Sequence, residues 1–190
     1  MDRVSFILSN SYGKVLDAGF NACSLHDKVV HKFGKQNVFG IDIVIEKRYK
    51  GNYVKASAEK MPFKDSVFDC IIAGELIEHL KKPKDFVKEA NRVLKDSGSL
   101  IITTPNRKSL INRLFHSYEA PLHFSLFSQK ELFELLEKNG FKVVKFACFP
   151  YTEESSSGSR HKSFFILRKL LHRFLPQSLQ ENMCMVAVKQ

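Results

Sequence analysis

Residues Lys14 to Cys23 read KVLDAGFNAC, a short apolar strand that runs into an acid and then a glycine. Val15 and Leu16 suit a buried parallel strand, and Asp17 falls where that strand would end. Gly19 then permits the tight turn that brings backbone N–H groups close to a ligand. A second strand, NVFGIDI, ends in another acid, Asp42. Strand, glycine turn, helix and strand-end acid together make a nucleoside-binding half-sheet, with the second acid placed to accept ribose hydroxyls.

The rest of the chain repeats the alternation. Strand patterns fall at about 14–19, 37–43, 52–57, 68–74, 98–105, 141–149 and 183–189, with helix-period segments between most of them. Pro83 suits the first turn of a helix over 84–95. Ser128 and Glu131 spell a capping box ahead of ELFELLEKNG, where Gly140 supplies the stop. Such alternation predicts an α/β fold, a mostly parallel sheet with helices on both faces. A chain of 190 residues fits one domain, 1–190, able to bury about 70% of its unfolded surface. Two inserts, 106–127 and 151–182, follow strand ends on the side where open α/β sheets bind ligands, so they are the expected substrate cover. The first includes Asn106 and Arg107 at the cleft mouth, with His116, Tyr118 and His123 as further substrate-side candidates. The second includes SSSGS at 155–159, a hinge-like composition.

Composition narrows the setting. No run reaches the roughly 18 apolar residues that span a bilayer, and nothing at the start reads as a leader, so the expectation is a soluble cytoplasmic protein. Cys23, Cys70, Cys148 and Cys184 are dispersed without a CxxC pair, which suits a reducing compartment and argues against a zinc site. The net charge of +10 is compatible with nucleic acid, an anionic membrane surface, an acidic substrate or simply a lysine-rich surface.

Five ordered motifs carry a resemblance: KVLDAGFNAC, SAEKMPF, FDCIIAG followed by ELIEHL, the helix FVKEANRVLK, and the strand SLIITTPNR. In that order the chain resembles the class I S-adenosylmethionine-dependent methyltransferases, particularly the subgroup of ubiquinone-biosynthesis and related small-molecule enzymes. The resemblance covers roughly residues 12 to 147 and the final strand MCMVAVK. It implies a Rossmann-like seven-stranded sheet in the order 3-2-1-4-5-7-6, the last strand antiparallel, with S-adenosyl-L-methionine as cofactor. The alternating glycines of the family loop fall on Gly19, Asn21 and Cys23, so only the first is kept. Asp17 would orient the cofactor's ammonium by a charge-assisted hydrogen bond. Asp42, with Ile43 beside it, would hold the ribose. Ser57, Ala58 and Glu59 stand at the loop that holds adenine in the family, with Met61, Pro62 and Phe63 as an apolar wall or as core.

At the reactive end, strand four finishes at Gly74 and ELIEHL begins. On one helical turn Glu75 and His79 would be i,i+4 neighbours, and Glu75 and Glu78 i,i+3 neighbours. His79 is the candidate base, since an imidazole titrates near neutrality, and Glu75 is its candidate catalytic partner. No metal is assigned, although Glu75, Glu78 and His79 could alternatively hold one divalent cation. These three can equally be helix-positioning residues. A dinucleotide dehydrogenase is disfavoured, because no second nucleotide-binding half follows. Amino-group methylation through an NPPY turn is disfavoured too, because the chain reads AGEL there.

FFILRKLLHRFL places Phe164, Leu167, Leu171, Phe174 and Leu175 on one helical stripe, with Arg168, Lys169, His172 and Arg173 largely off it. That suits a lid helix packed on the domain, or an interfacial helix at an anionic membrane surface. The expected acceptor is a small, anionic or lipid-linked metabolite methylated on O or C. An RNA acceptor is disfavoured by the lack of an appended RNA-binding module, and a catalytically silent binding protein is the third reading. No residue identifies the acceptor or the oligomeric state.

Overall fold

Strand four, FDCIIAG, shows in miniature how the molecule is layered. Ile71 and Ala73 enter one hydrophobic cluster with Leu16, Ala18, Phe86, Val87 and Leu132. Cys70 and Ile72 enter another, with Phe6, Val15, Leu25, Val29 and Ile101. Side chains alternate across a strand, so an unbroken apolar run means that both faces are covered. The computed structural model describes residues 2–20, 24–114, 123–150 and 162–190.

Among these residues the elements run α1 (Arg3–Asn10), β1 (Val15–Ala18), α2 (Ser24–Phe33), β2 (Val38–Asp42), β3 (Tyr53–Lys55), β4 (Phe68–Gly74), α3 (Pro83–Val93), β5 (Leu94–Pro105), α4 (Leu110–Leu114), α5 (Gln129–Glu137), β6 (Phe141–Phe149), α6 (Lys162–Phe174) and β7 (Asn182–Lys189). The strands form one sheet in the order β3-β2-β1-β4-β5-β7-β6. β7 is antiparallel to both its neighbours, with Ile101 opposite Val186 on one side and Val143 opposite Ala187 on the other. The remaining pairings are parallel. This is the class I methyltransferase topology expected above, including the antiparallel last strand.

Local signals account for most boundaries. Pro83 opens α3, where its missing N–H costs nothing. Ser128 and Glu131 close the expected capping box reciprocally, with the Glu131 carboxylate accepting the Ser128 N–H at 2.8 Å. Helix α1 lay outside the sequence expectation. Asp2 caps it by accepting the Ser5 N–H at 2.8 Å, and its buried Phe6 and Ile7 cover the sheet.

Of the two readings of α6, a lid packed on the domain would turn the whole apolar stripe inward, yet Leu167 and Phe174 are exposed, as are Ile166 and Leu170. The inward face holds Arg168 and His172 instead, with Leu171 and Leu175 half-buried. Arg168, 1% exposed, bonds the buried Glu181 carboxylate through Nε at 2.8 Å and donates to Asn112 Oδ1 of α4 at 2.6 Å. An unpartnered charge would be very costly to bury, so this pair fixes the rotation of α6 about its axis. The SSSGS hinge lies outside the described residues.

Arg168→Met should therefore take the guanidinium away from the buried Glu181 carboxylate and lower stability by about 3–5 kcal/mol. Adding Glu181→Leu should recover most of that loss. Urea midpoints of wild type, single and double variants check this; a single variant as stable as wild type would contradict it.

Candidate active site

Strand β1 sits between β2 and β4, and the connections leave in opposite directions from this point. The crevice at the C-terminal ends of these strands is where an open α/β sheet binds its ligand. Gly19 follows β1 with a φ of 74°, a left-handed conformation that favours glycine. A Cβ there would lie 2.9 Å from the Leu76 side chain. The Gly19 N–H donates to the Ile41 carbonyl at 2.8 Å, so the turn is pinned to β2. Asn21 and Cys23 lie outside the described residues.

Asp17 is buried, and its carboxylate accepts from His26 Nδ1 at 2.8 Å. The other ring nitrogen, Nε2, stands 3.1 Å from the Tyr53 hydroxyl. Burial pushes the Asp17 carboxyl above its ordinary range, against the opposing pull of His26. Around this relay Phe20 stacks on Tyr53 with centroids 4.9 Å apart, and Tyr49 and His26 close the cluster. Gly40 makes room for it, because a Cβ there would meet the Phe20 ring at 2.6 Å. No sequence motif marked Phe20, His26, Tyr49 or Tyr53. Their one signal was the aromatic density around strands two and three.

Asp42 ends β2 and accepts the Val44 N–H at 3.0 Å. Next to it Ile43 is 68% exposed, an apolar side chain offered to solvent at the crevice. The Ser57 hydroxyl accepts the Glu59 N–H at 3.1 Å, which shapes the turn after β3, and Ala58 is buried beneath it. The Glu59 carboxylate accepts the Lys82 N–H at the start of α3. Helix α3 fastens the rest of this loop: Glu89 accepts the Met61 N–H at 2.7 Å, and Arg92 donates to the Met61 and Phe63 carbonyls. Phe63 packs edge-on against Phe68, so of its two expected roles it takes the core one.

ELIEHL is not an α-helical turn. Glu75 has a φ of 53°, and its N–H donates to the Thr103 carbonyl at 2.9 Å. Only Ile77–His79 are helical, as one 3-10 turn. The expected i,i+4 pairing of Glu75 with His79 is thus replaced. The Glu75 carboxylate takes Arg3 at 3.0 Å and the Thr103 hydroxyl at 2.9 Å, tying α1 to the end of β4. Glu78, His79 and His123 converge instead, with one ligand atom from each within 4.8 Å of the others. The His79 and His123 rings are 4.9 Å apart. His123 arrives because the N–H groups of Phe124 and Ser125 both donate to the Glu78 carbonyl. Glu78 is 1% exposed and accepts the Thr104 hydroxyl at 3.0 Å. Burial, and then the nearby Glu75 charge, push its carboxyl well above the usual range. One carboxylate and two imidazoles could hold a transition-metal cation.

Gly74 faces Leu25 and Thr103 beside this cluster. Asn106 turns away from the cleft: its amide donates to the Ser178 and Gln180 carbonyls, holding the approach to β7. Arg107 pairs with Glu131. His116 and Tyr118 lie outside the described residues.

Comparison with known proteins decides the family. A family model described as "Methyltransferase domain" matches residues 1–145. The chain belongs to the class I S-adenosylmethionine-dependent methyltransferases. An uncharacterized protein of Methanocaldococcus jannaschii is 34% identical over 94 residues, 47% of this chain and 46% of that one. A ubiquinone/menaquinone biosynthesis C-methyltransferase of Klebsiella pneumoniae is 31% identical over 130 residues, 67% of this chain and 45% of that one. The chain thus spans about half the length of these curated relatives. Among solved structures, a methyltransferase from Archaeoglobus fulgidus aligns with a TM-score of 0.72 at 20% identity, covering 98% of this chain and 91% of that one. A geranyl diphosphate C-methyltransferase from Streptomyces coelicolor, solved with Mg2+, geranyl diphosphate and S-adenosyl-L-homocysteine, aligns at 0.70 and 14% identity, covering 99% and 77%.

The family's cofactor fits what this methyltransferase fold presents. The Gly19 turn needs a residue without Cβ, a strand-end acid follows at Asp42, and exposed Ile43 suits the face of an adenine ring.

The Glu78 environment yields a pH test. The carboxyl is raised above its ordinary 4.5 by burial, so above pH 4.5 the unfolded chain releases a proton that the folded protein keeps. Stability then falls with rising pH, by about 1.4 kcal/mol per pH unit, until the folded group ionises. Glu78→Gln removes this fall. With a chelator present, urea midpoints should show the variant gaining on wild type as the pH rises above 4.5, and parallel curves would refute the assignment.

Proposed function

We propose that this methyltransferase-family chain, acting as one domain over residues 1–190, transfers a methyl group from S-adenosylmethionine to a small acceptor, anionic or lipid-linked, at oxygen or carbon. The observation that carries the reading is the gathering of both ends of a methyl-transfer site at one sheet edge. Asp42 and Ile43 stand after β2, and the Glu78, His79 and His123 cluster stands after β4.

Asp42 accepts the ribose hydroxyls, and Ile43 lies against the base. Ser57 and Ala58 line the adenine, while Glu59 acts at one remove by holding that loop on α3. Asp17, already bonded to His26, presents its remaining acceptor capacity to the ammonium end. Gly74 keeps the reactive end open. When bound, the cofactor supplies an electrophilic methyl on a sulfonium sulfur. His79 would take the proton from the acceptor's hydroxyl or carbon as the methyl passes to that atom, the sulfur keeping the bonding pair as a neutral thioether, and His123 beside it would steady the charge that develops on the ring. Glu75 serves by clamping α1 through Arg3, so its part is positioning.

The names of relatives support the acceptor class, since one works in ubiquinone/menaquinone biosynthesis and a structural neighbour holds geranyl diphosphate. The charge of +10 supports an anionic acceptor and is also the one feature behind an RNA acceptor. Filter binding to tRNA across a salt series separates them, because phosphate contacts give a steep slope. The unpaired thiols of Cys70, Cys148 and Cys184 support a cytoplasmic setting.

Calorimetry with S-adenosylhomocysteine should show binding that Asp42→Ala weakens about ten- to a hundredfold. His79→Ala should leave that affinity unchanged and lower kcat about 10²- to 10⁴-fold, measured with prenylated phenols and prenyl diphosphates as acceptors. Because His79 acts as a base, a chelator should not alter the rate; loss of transfer would give the three-residue cluster to a metal. Absence of cofactor binding at millimolar ligand would leave a non-enzymatic scaffold.

A further inference from the structure

Helix α6 presents a surface that the methyl-transfer site does not use. At about 100° per residue, Ile166, Leu170, Phe174 and Leu167 fan across roughly 100° of the helix. They are 61%, 54%, 82% and 48% exposed. Leu110 and Leu114, four residues apart on α4, are exposed as well, and α4 is held beside α6 by the Arg168–Asn112 bond. Lys169 and Arg173 lie along the flank of the apolar arc, Arg113 adjoins Leu114, and all three are exposed. The helix carries no acidic residue, and the nearby Glu181 is consumed by Arg168.

From this we propose that the outer face of α4 and α6 docks the protein on an anionic lipid bilayer, with α6 lying in the plane of the headgroups. Apolar side chains in one arc with cations along its border are what an interfacial helix requires. At 13 residues α6 spans about 20 Å along its axis, too short to cross a bilayer. No helix among the described residues is long and apolar enough to do so. The charge around the arc selects the occupant: a protein partner would have to match a border of lysine and arginine, whereas anionic headgroups supply that match at any point of the surface.

The position serves the chemistry. Helix α4 leaves the C-terminal end of β5, and α6 leads into the start of antiparallel β7. Both stand at the sheet edge that carries Gly19, Asp42 and His79. A lipid-linked acceptor would then reach the site from the membrane without leaving it. The use of the surface rests on the lipid-linked reading given above, but its existence does not, and the two can fail separately.

The test is cosedimentation of the full chain with vesicles of phosphatidylcholine alone and of phosphatidylcholine mixed equally with phosphatidylglycerol. Wild type should pellet with the mixed vesicles and not with the neutral ones. Leu170→Gln and Phe174→Gln should each weaken partitioning about tenfold. Lys169→Gln with Arg173→Gln should weaken it about thirtyfold, and high salt should do the same. All variants should bind S-adenosylhomocysteine as wild type does, which shows that the fold is intact. Binding to neutral and mixed vesicles alike, binding that the variants do not change, or a lipid-free dimer that Phe174→Gln dissociates while vesicles stay unbound would each overturn the proposal. Vesicle binding with no transfer to any prenylated acceptor would uphold the surface and sink the acceptor reading.

Discussion

Parallel hydrogen bonding on both sides of β1 is the constraint on which the rest depends. Val15 to Ala18 pair with Val38 to Ile41 on one side and with Cys70 to Ala73 on the other. Because the chain leaves β1 toward one neighbour and later returns to the other, a crevice opens at the strand's C-terminal end. Asp17 at that end is buried, so it needs a partner, and His26 from α2 supplies it. Gly40 on β2 must be bare for Phe20 to lie beside it. The cofactor end of the site is thus set by sheet geometry more than by any one ligand-binding side chain.

The reactive end is built on a different principle. Glu75 adopts a left-handed backbone held by Thr103, and the short turn after it throws Glu78 inward and His79 outward. Backbone bonds from Phe124 and Ser125 to the Glu78 carbonyl then bring His123 alongside. Two segments distant in sequence meet through one carbonyl oxygen.

That contrast explains what the sequence could show. Asp17, Gly19 and Asp42 were legible because strand period and turn chemistry are local, and the capping box at Ser128 for the same reason. The regular helical turn expected of Glu75 to His79 failed because a long-range bond to Thr103 overrides propensity there. The Arg3 clamp and the His26–Tyr53 relay depend on tertiary placement, which no local pattern reports. For α6 the apolar period did not pick out one face: Leu167 and Phe174 of the stripe are exposed while Leu171 and Leu175 are half-buried, and of the cations off it Arg168 is buried while Lys169 and Arg173 are exposed. The buried acid at Glu181 drew Arg168 to the inner side, so Leu167 and Phe174 were left outward. The family resemblance supplied the place of β7, which spacing alone would have left at the sheet edge.

The place of β7 also bears on how the fold is made. Its eight residues, Asn182–Lys189, pair with β5 on one side and β6 on the other. During vectorial synthesis β6 emerges with no sheet neighbour, and the finished flank of β5 waits as an open edge. Only when the following strand slides between them, exchanging bonds on both sides at once, does the sheet reach full width. Assembly of this half of the molecule is therefore a late insertion, and a chain stopped short of it would leave β5 and β6 with unpaired edges in place of one continuous sheet.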